Sequence, residues 1–468
     1  MVHRFSIRDV NIIVDSESGA VHLADRVSFD LCGLLTPPLG KECPEAAVRE
    51  LSARYDEGEI REAYGELLAL FQAGELFAPE YDGPNARMSL KGAPVKALCL
   101  HVSHDCNMRC NYCFAKTGDF GTGRRIMDFE TAKAAVDFVV GRSGKRRNIE
   151  IDFFGGEPLM AFDTVRKTVE YAKSLEEKYQ KNFRFTITTN GLLLNDEIID
   201  AVNREMSNVV LSLDGRREIN DKVRKTVSGD GTFELVMPKM QRLVNLRDKG
   251  KDYYVRGTFT KENLDFCEDI KEMVSCGFRN LSLEPVVLKG GGALAITKED
   301  LPRIFEEYEK LCELILQSKN TDREFLFFHF MIDLSQGPCI IKRMRGCGAG
   351  FEYVAVTPEG DIYPCHQFVG NKEFRLGNVH EKTFDLSLSE RFAGIDLNTR
   401  KGCSDCWAKY YCGGGCSAAN HTVNGDISIP YELGCELERK RVECAIYLKA
   451  RSAAFAEQAR TAPESPAG

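Results

Sequence analysis

Eighteen cysteines among 468 residues are a heavy load, and their spacing is uneven. Cys106, Cys110 and Cys113 stand as C-x3-C-x2-C within His104-Asp105-Cys106-Asn107-Met108-Arg109-Cys110-Asn111-Tyr112-Cys113. On a tight loop, three such thiolates converge on one metal centre. With only three, one iron of a cubane 4Fe–4S cluster lacks a protein ligand and stays open to a substrate or cofactor, by the logic that separates open catalytic sites from closed structural ones. The competing reading is a structural zinc site completed by a distant His or Cys, although zinc sites more usually build from paired C-x2-C units. A second array fills the last third of the chain. It runs Cys347, Gly360 and Cys365, then Cys403-x2-Cys406-x5-Cys412-x3-Cys416, and Cys435 after eighteen residues, with Cys339 and Cys444 outside the pattern. A zinc-ribbon pair is the alternative there. The isolated Cys32, Cys43, Cys99, Cys267, Cys276 and Cys312 read as small buried hydrophobes.

Shorter motifs accompany the cysteines. In Phe154-Gly155-Gly156-Glu157-Pro158 the paired glycines permit close backbone approach, and a carboxylate suits an ammonium. Alone, such a stretch is only a turn. Thr189-Asn190-Gly191 and Ser212-Leu213-Asp214-Gly215 offer polar groups for a ribose or a carboxylate, or plain turn chemistry. Arg224 is a candidate carboxylate partner or a solvated surface residue.

The elements that must position these residues follow from periodicity. Strand-like runs at Val95–Val102, Ile149–Phe154, Phe183–Thr188, Val209–Leu213, Tyr253–Phe259 and Leu281–Val287 alternate with amphipathic helices such as Asp128–Val140 and Phe162–Tyr179. Six β-then-α units predict parallel strands with right-handed crossovers, too few for a closed eight-fold barrel. In such folds, chemistry gathers on loops leaving the C-terminal strand ends, where the first cysteine loop and the Gly-Gly-Glu-Pro turn both fall. Before this unit, Asn11–Asp15 and Ala20–Leu23 flank Ser16–Gly19 as a hairpin, and 46–77 carries helical spacing. Tyr81–Asn85 reads as a linker. After about 335 periodicity fades, as expected where metal replaces a hydrophobic core.

Composition bounds the rest. A 43% apolar, 28% charged chain of net charge −8 is globular, with two or three domains expected from its length. No apolar run reaches the roughly 20 residues of a membrane span. The mild acidity offers no footprint for nucleic acid. The first residues lack the apolar stretch of a secretory signal, so a cytoplasmic protein with reduced thiols is expected.

The first cysteine cluster resembles the radical S-adenosylmethionine (SAM) superfamily, whose hallmark is C-x3-C-x-aromatic-C, Tyr112 being the aromatic. The resemblance implies that Cys106, Cys110 and Cys113 hold a 4Fe–4S cluster whose open iron chelates SAM. Reductive cleavage of SAM then yields a 5′-deoxyadenosyl radical that abstracts a hydrogen atom. Tyr112, Gly155, Gly156, Glu157, Asn190, Ser212 and Arg224 are the implied cofactor-contacting positions. The later array is similar to the seven-cysteine SPASM extension, which implies two auxiliary 4Fe–4S clusters. Cys347, Cys365 and Cys416, with Cys339 as a possible fourth ligand, would hold the first. Cys403, Cys406, Cys412 and Cys435 would hold the second. The expected architecture is therefore α/β: a winged-helix-like peptide-recognition domain (1–90), a partial (β/α)6 radical SAM barrel (91–310), a SPASM domain (311–450) and a disordered tail (451–468). Several stretches, including Cys113–Phe120, Ile151–Leu159 and Tyr254–Thr260, resemble the maturases of SCIFF peptides (six cysteines in forty-five residues). That resemblance implies thioether links from Cys sulfur to carbon in a Cys-rich precursor peptide held by its leader, with flavodoxin or ferredoxin as electron donor. A formylglycine-forming sulfatase maturase is the alternative enzyme. A non-catalytic metal-cluster scaffold that binds peptide is the alternative of another class.

Overall fold

The computed structural model describes residues 1–80, 92–334 and 344–461, with side chains to residue 452. The expected linker Tyr81–Asn85 and Cys339 lie outside the described residues.

The N-terminal hairpin forms as read, β2 (Val10–Asp15) pairing with β3 (Val21–Ala24) through Val14↔Val21. A strand not anticipated, β1 (Val2–Ile7), completes a three-stranded antiparallel sheet in the order β1-β2-β3. Three helices follow: α1 (Arg26–Cys32), α2 (Glu45–Leu51) and α3 (Glu57–Gln72), the last opened by an Asp56/Glu59 capping box. Strand alternation splits the sheet's burial between two cores. Ile13 faces the helices with Leu31, Leu51 and Leu67, while Phe5, Ile7, Ile12 and Val14 join the core of the main body.

In the main body, the six expected strands are present as β4 (Ala97–Ser103), β5 (Asn148–Gly155), β6 (Asn182–Thr189), β7 (Asn208–Ser212), β8 (Asp252–Phe259) and β9 (Asn280–Pro285). Their crossover helices include α4 (Phe129–Arg142), N-capped by Asp128 onto Thr131 N at 2.7 Å, and α5 (Phe162–Ser174). α6 (Asp196–Glu205), α7 (Phe233–Asn245), α8 (Phe266–Ser275) and α9 (Leu301–Ser318) complete the set. The sheet is larger than six strands. β10 (Leu326–Phe327) adds in parallel to β9, and β11 (Tyr353–Val356) adds in parallel to the opposite edge, against β4. Short antiparallel strands β12 (Asp361–Tyr363), β13 (Gly377–Asn378) and β14 (Thr383–Phe384) extend it. The linear order β10-β9-β8-β7-β6-β5-β4-β11-β12-β13-β14 makes an open barrel wall. Parallel pairing thus continues beyond the expected boundary at 310, which α9 straddles.

The last helix, α10 (Glu432–Thr461), packs on α9 and runs eleven residues into the segment expected to be disordered. Ala453, Ala454, Ala456, Glu457 and Gln458 are strong helix formers, and that propensity outweighed the tail-like composition that follows. Among the described residues no helix is long and apolar enough to cross a membrane.

The N-terminal sheet docks onto the cysteine-rich region. His3 stacks on Trp407 with centroids 3.9 Å apart and places Nε2 2.9 Å from Glu443 Oε1. Ser16 Oγ donates to the Trp407 carbonyl at 2.7 Å. Glu17 meets Lys409 Nζ at 2.8 Å, with both side chains about 95% buried, and accepts from Tyr410 Oη at 3.1 Å. Burial opposes ionisation of Glu17, but Lys409 and Tyr410 overcome it and hold its carboxyl below the usual value. Replacing Glu17 leaves buried Lys409 with the exposed Glu80 carboxylate at 3.6 Å, a weaker partner, and breaking such a buried pair costs up to about 3 kcal/mol. Glu17→Ala should therefore lower stability by about that amount in a denaturant titration, and Glu17→Leu with Lys409→Met should recover most of it. Because the folded carboxyl is the stronger acid, the pair's contribution is complete above the ordinary carboxylate range and is lost as pH falls through the depressed value.

Candidate functional site

The first cysteine loop leaves the C-terminal end of β4, whose seven residues are all buried. Main-chain contacts fix it. Gly156 N donates to Ser103 O at 2.8 Å and Glu157 N to Asp105 O at 2.9 Å, while Asp105 Oδ1 accepts from Cys106 N at 2.8 Å. The paired glycines are sterically required. A Cβ on Gly156 would lie 2.2 Å from Asp105 O, and one on Gly155, whose φ is +130°, 2.2 Å from Ser103 O. Farther along the loop, Arg109 N and Asn111 N donate to the carbonyls of Lys225 and Val223, which brings Arg224 over the cysteines.

Two buried carboxylates organise the surrounding strand ends. Glu157 accepts from Leu159 N (3.0 Å), Thr189 Oγ1 (2.7 Å) and Asn190 N (2.8 Å). Burial raises its pKa to about 7 against those three donors. The structure thus commits this carboxylate to tying the ends of β5 and β6 together. Asn190 in turn donates to Asn107 Oδ1 at 2.8 Å and lies 3.7 Å from Cys106 Sγ. Asp214 accepts from Tyr112 Oη (2.7 Å), Arg224 Nη2 (3.1 Å) and Thr258 N (2.8 Å). Arg224 is buried, paired with Asp214 and within reach of Cys110, whose thiol burial pushes up to about 11. Ser212 ends β7 in register with Arg256.

Electrostatic proximity sorts the metal-ligating candidates into three groups. Cys110 and Cys113 act on Cys106; Cys347 and Cys416 act on Cys365; Cys403, Cys406, Cys412 and Cys435 act on one another. Burial raises Cys106, Cys365 and Cys412 to about 12 and Cys435 to about 11. Ligation therefore has to displace protons. Donors aim at the sulfurs: Met108 N at Cys106 (3.4 Å), Ala419 N at Cys416 (3.5 Å) and Arg439 Nη1 at Cys406 (3.9 Å). Such bonds suit thiolate ligands of iron–sulfur clusters. Among the described residues no group of three or more His, Cys, Asp or Glu is disposed to hold a single metal ion. One apolar core joins the two cysteine regions, with Cys99, Ala115 and Phe120 packed with Cys365 and Phe368. Phe154 lies 4.9 Å from the His366 ring. Cys444, at α10, is buried and offers its carbonyl to Cys312 Sγ at 3.7 Å, a packing role.

A model of the radical SAM superfamily matches residues 100–272, and a model of the SPASM iron–sulfur cluster-binding domain matches residues 347–407. The chain carries a radical SAM domain joined to a SPASM domain. Such domains imply 4Fe–4S clusters and SAM, and the donor-aimed sulfurs fit that group. The chain is similar to the cysteine-type anaerobic sulfatase-maturating enzyme of Clostridium novyi, 27% identical over 68% of this chain and 87% of that one. Among solved structures, native anSMEcpe with bound AdoMet and Cp18Cys peptide matches with TM-score 0.63 at 21% identity, covering 77% of this chain and 99% of that one. SuiB of Streptococcus suis bound to S-adenosylmethionine matches with TM-score 0.53 at 15% identity, covering 92% and 98%. The second match leaves too few residues out to omit the N-terminal module.

Two residues of the radical SAM domain escaped the reading of the sequence. Asp214 sits in the quoted Ser212–Gly215 motif, and a carboxylate just past a strand end was the available signal. Asp152, on the strand face it shares with Phe154, is raised to about 7, chiefly by burial and then by Glu150. A carboxyl near neutrality on an inner wall can exchange a proton at physiological pH. Only register with the following Gly-Gly-Glu-Pro turn marked it.

The glycine constraint gives a direct test. Gly156→Ala should displace Asp105 and the Cys106 loop and lower iron per chain after anaerobic reconstitution. Gly141→Ala, whose added methyl meets nothing within 4 Å, should leave iron content unchanged.

Proposed function

We propose that this radical SAM/SPASM protein is a peptide maturase that installs Cys-sulfur-to-carbon thioether links in a ribosomally made, Cys-rich precursor. The observation that carries the reading is the separation of cysteines into one group of three beside Gly155-Gly156-Glu157 and two further groups behind it. In this reading Cys106, Cys110 and Cys113 hold the cluster that binds SAM. Cys347, Cys365 and Cys416, with Cys339 a candidate fourth ligand, hold a first auxiliary cluster. Cys403, Cys406, Cys412 and Cys435 hold a second. When bound, the first cluster and SAM supply a 5′-deoxyadenosyl radical for hydrogen abstraction. The chain's own part is positioning. Glu157 and Asp214 fix the strand ends, Tyr112, Asn190, Ser212 and Arg224 line the approach, and the His366–Phe154 wall excludes water between the cysteine regions. Residues 1–80 are read as the leader-binding element: β1 faces α10, whereas among the described residues β3 pairs with β2 alone, which offers its outer edge to a peptide strand, Leu23 being 54% exposed. The similarity to a sulfatase-maturating enzyme supports formylglycine formation as the second reading.

Reconstituted protein should hold roughly twelve irons, three cubanes' worth, and replacing Cys106, Cys110 and Cys113 by Ala should remove about a third and abolish SAM cleavage. With a Cys-rich precursor, the peptide should lose two hydrogen atoms per bridge and one reactive thiol, and the link should survive disulfide reductants. Deuterium at the acceptor carbon should appear in 5′-deoxyadenosine. A peptide aldehyde would favour the second reading, and iron near four with bound zinc would refute the auxiliary clusters.

A further inference from the structure

Arg400 stands in the turn before Cys403, 4% exposed, in the core of the cysteine-rich domain. Its partners are neutral. Nη2 donates to Ser417 Oγ at 2.8 Å and Nη1 to the Ile427 carbonyl at 3.2 Å, while the buried Nε has no hydrogen-bond partner. No carboxylate pairs with it among the described residues. A buried guanidinium without a counter-charge is costly, and Arg does not escape by deprotonation. Thiols from both proposed ligand sets act on it, Cys403 and Cys412 from one and Cys347 and Cys416 from the other. Space has been made for it as well. A Cβ on Gly414, between Cys412 and Cys416, would lie 2.7 Å from Arg400 Cδ and 2.8 Å from Nε. Arg439 is a useful contrast, since it reaches Cys406 Sγ but is already neutralised by Glu436 at 2.5 Å.

We infer that Arg400 is the shared counter-charge of the two auxiliary clusters, placed between them to raise both reduction potentials. The inference rests on the cluster assignment proposed above. A cubane held by thiolates is an anion and becomes more negative when it accepts an electron, so a fixed cation in a dry setting stabilises the reduced form. A single residue facing both sets couples them: whatever moves this guanidinium moves both potentials together.

The test is an EPR-monitored redox titration with dithionite on the full chain, carrying Cys106, Cys110 and Cys113→Ala so that only the auxiliary clusters report. Arg400→Gln should leave about tenfold less reduced cluster relative to oxidised at a fixed potential for both centres, about 59 mV each for one electron. Arg400→Lys should recover most of that shift. Movement of one centre only, movement of neither, or a Lys variant that behaves like Gln would overturn the proposal. Should Arg400→Gln fail to retain auxiliary iron, retention by Arg400→Lys supports a charge requirement, and loss in both overturns it. Failure of the parent background to hold roughly eight irons would instead count against the auxiliary-cluster reading itself.

Discussion

Everything chemical in this molecule is referred to one buried strand. β4 pairs with β5 on one side and β11 on the other, so Cys99 stands in register with both Asp152 and Ala355. The first partnership carries the Gly155-Gly156-Glu157 turn onto the loop of Cys106. The second fastens the cysteine-rich domain to the same frame. The first attachment is made by backbone: carbonyls of Ser103 and Asp105 meet backbone amides at positions where a Cβ would collide. A rigid reference of this kind is what radical chemistry requires, because a misplaced reactive carbon abstracts the wrong hydrogen.

The electrostatic design complements the mechanical one. Burial disfavours thiolates at Cys106, Cys365 and Cys412, so ligation at these sulfurs has to displace protons. Around them the chain supplies donors and cations, with Arg224 near Cys110, Arg439 at Cys406 and Arg400 acted on by both later groups, alongside carboxylates such as Glu157 near Cys106, Asp214 near Cys110 and Glu438 near Cys412. Glu157 and Asp214 have their oxygens occupied by donors and serve as struts between strand ends.

The parallel unit was legible because its helices and strands differ in hydrophobic period, and Asp128 is an ordinary N-cap. β1 was not legible, because Val2–Ile7 mixes His3, Arg4 and Ser6 among apolar positions and gains its strand character from pairing with β2. β11 to β14 are two to four residues each and exist only through pairing across sequence gaps that no local pattern reveals. The cysteines announced two arrays by spacing, the second divided into two ligand sets only by the family resemblance, and spacing is blind to what lies between them. Nothing local in Asn398-Thr399-Arg400-Lys401 or around Lys409 marks either side chain as buried.

Lys409 shows how the modules are related. Trp407, Lys409 and Tyr410 occupy the five-residue interval between Cys406 and Cys412, and these three residues receive His3, Ser16 and Glu17 from the N-terminal sheet. A segment that, under the proposed cluster assignment, presents two thiols to one metal centre also forms the floor on which the N-terminal module stands. The loop has little freedom to satisfy one duty without the other, since a buried ion pair and a stacked indole fix it from outside while ligation would fix it from within. Ordering of either side therefore reduces the conformational entropy left for the other to remove, and the two modules are coupled through a shared loop with no shape change required.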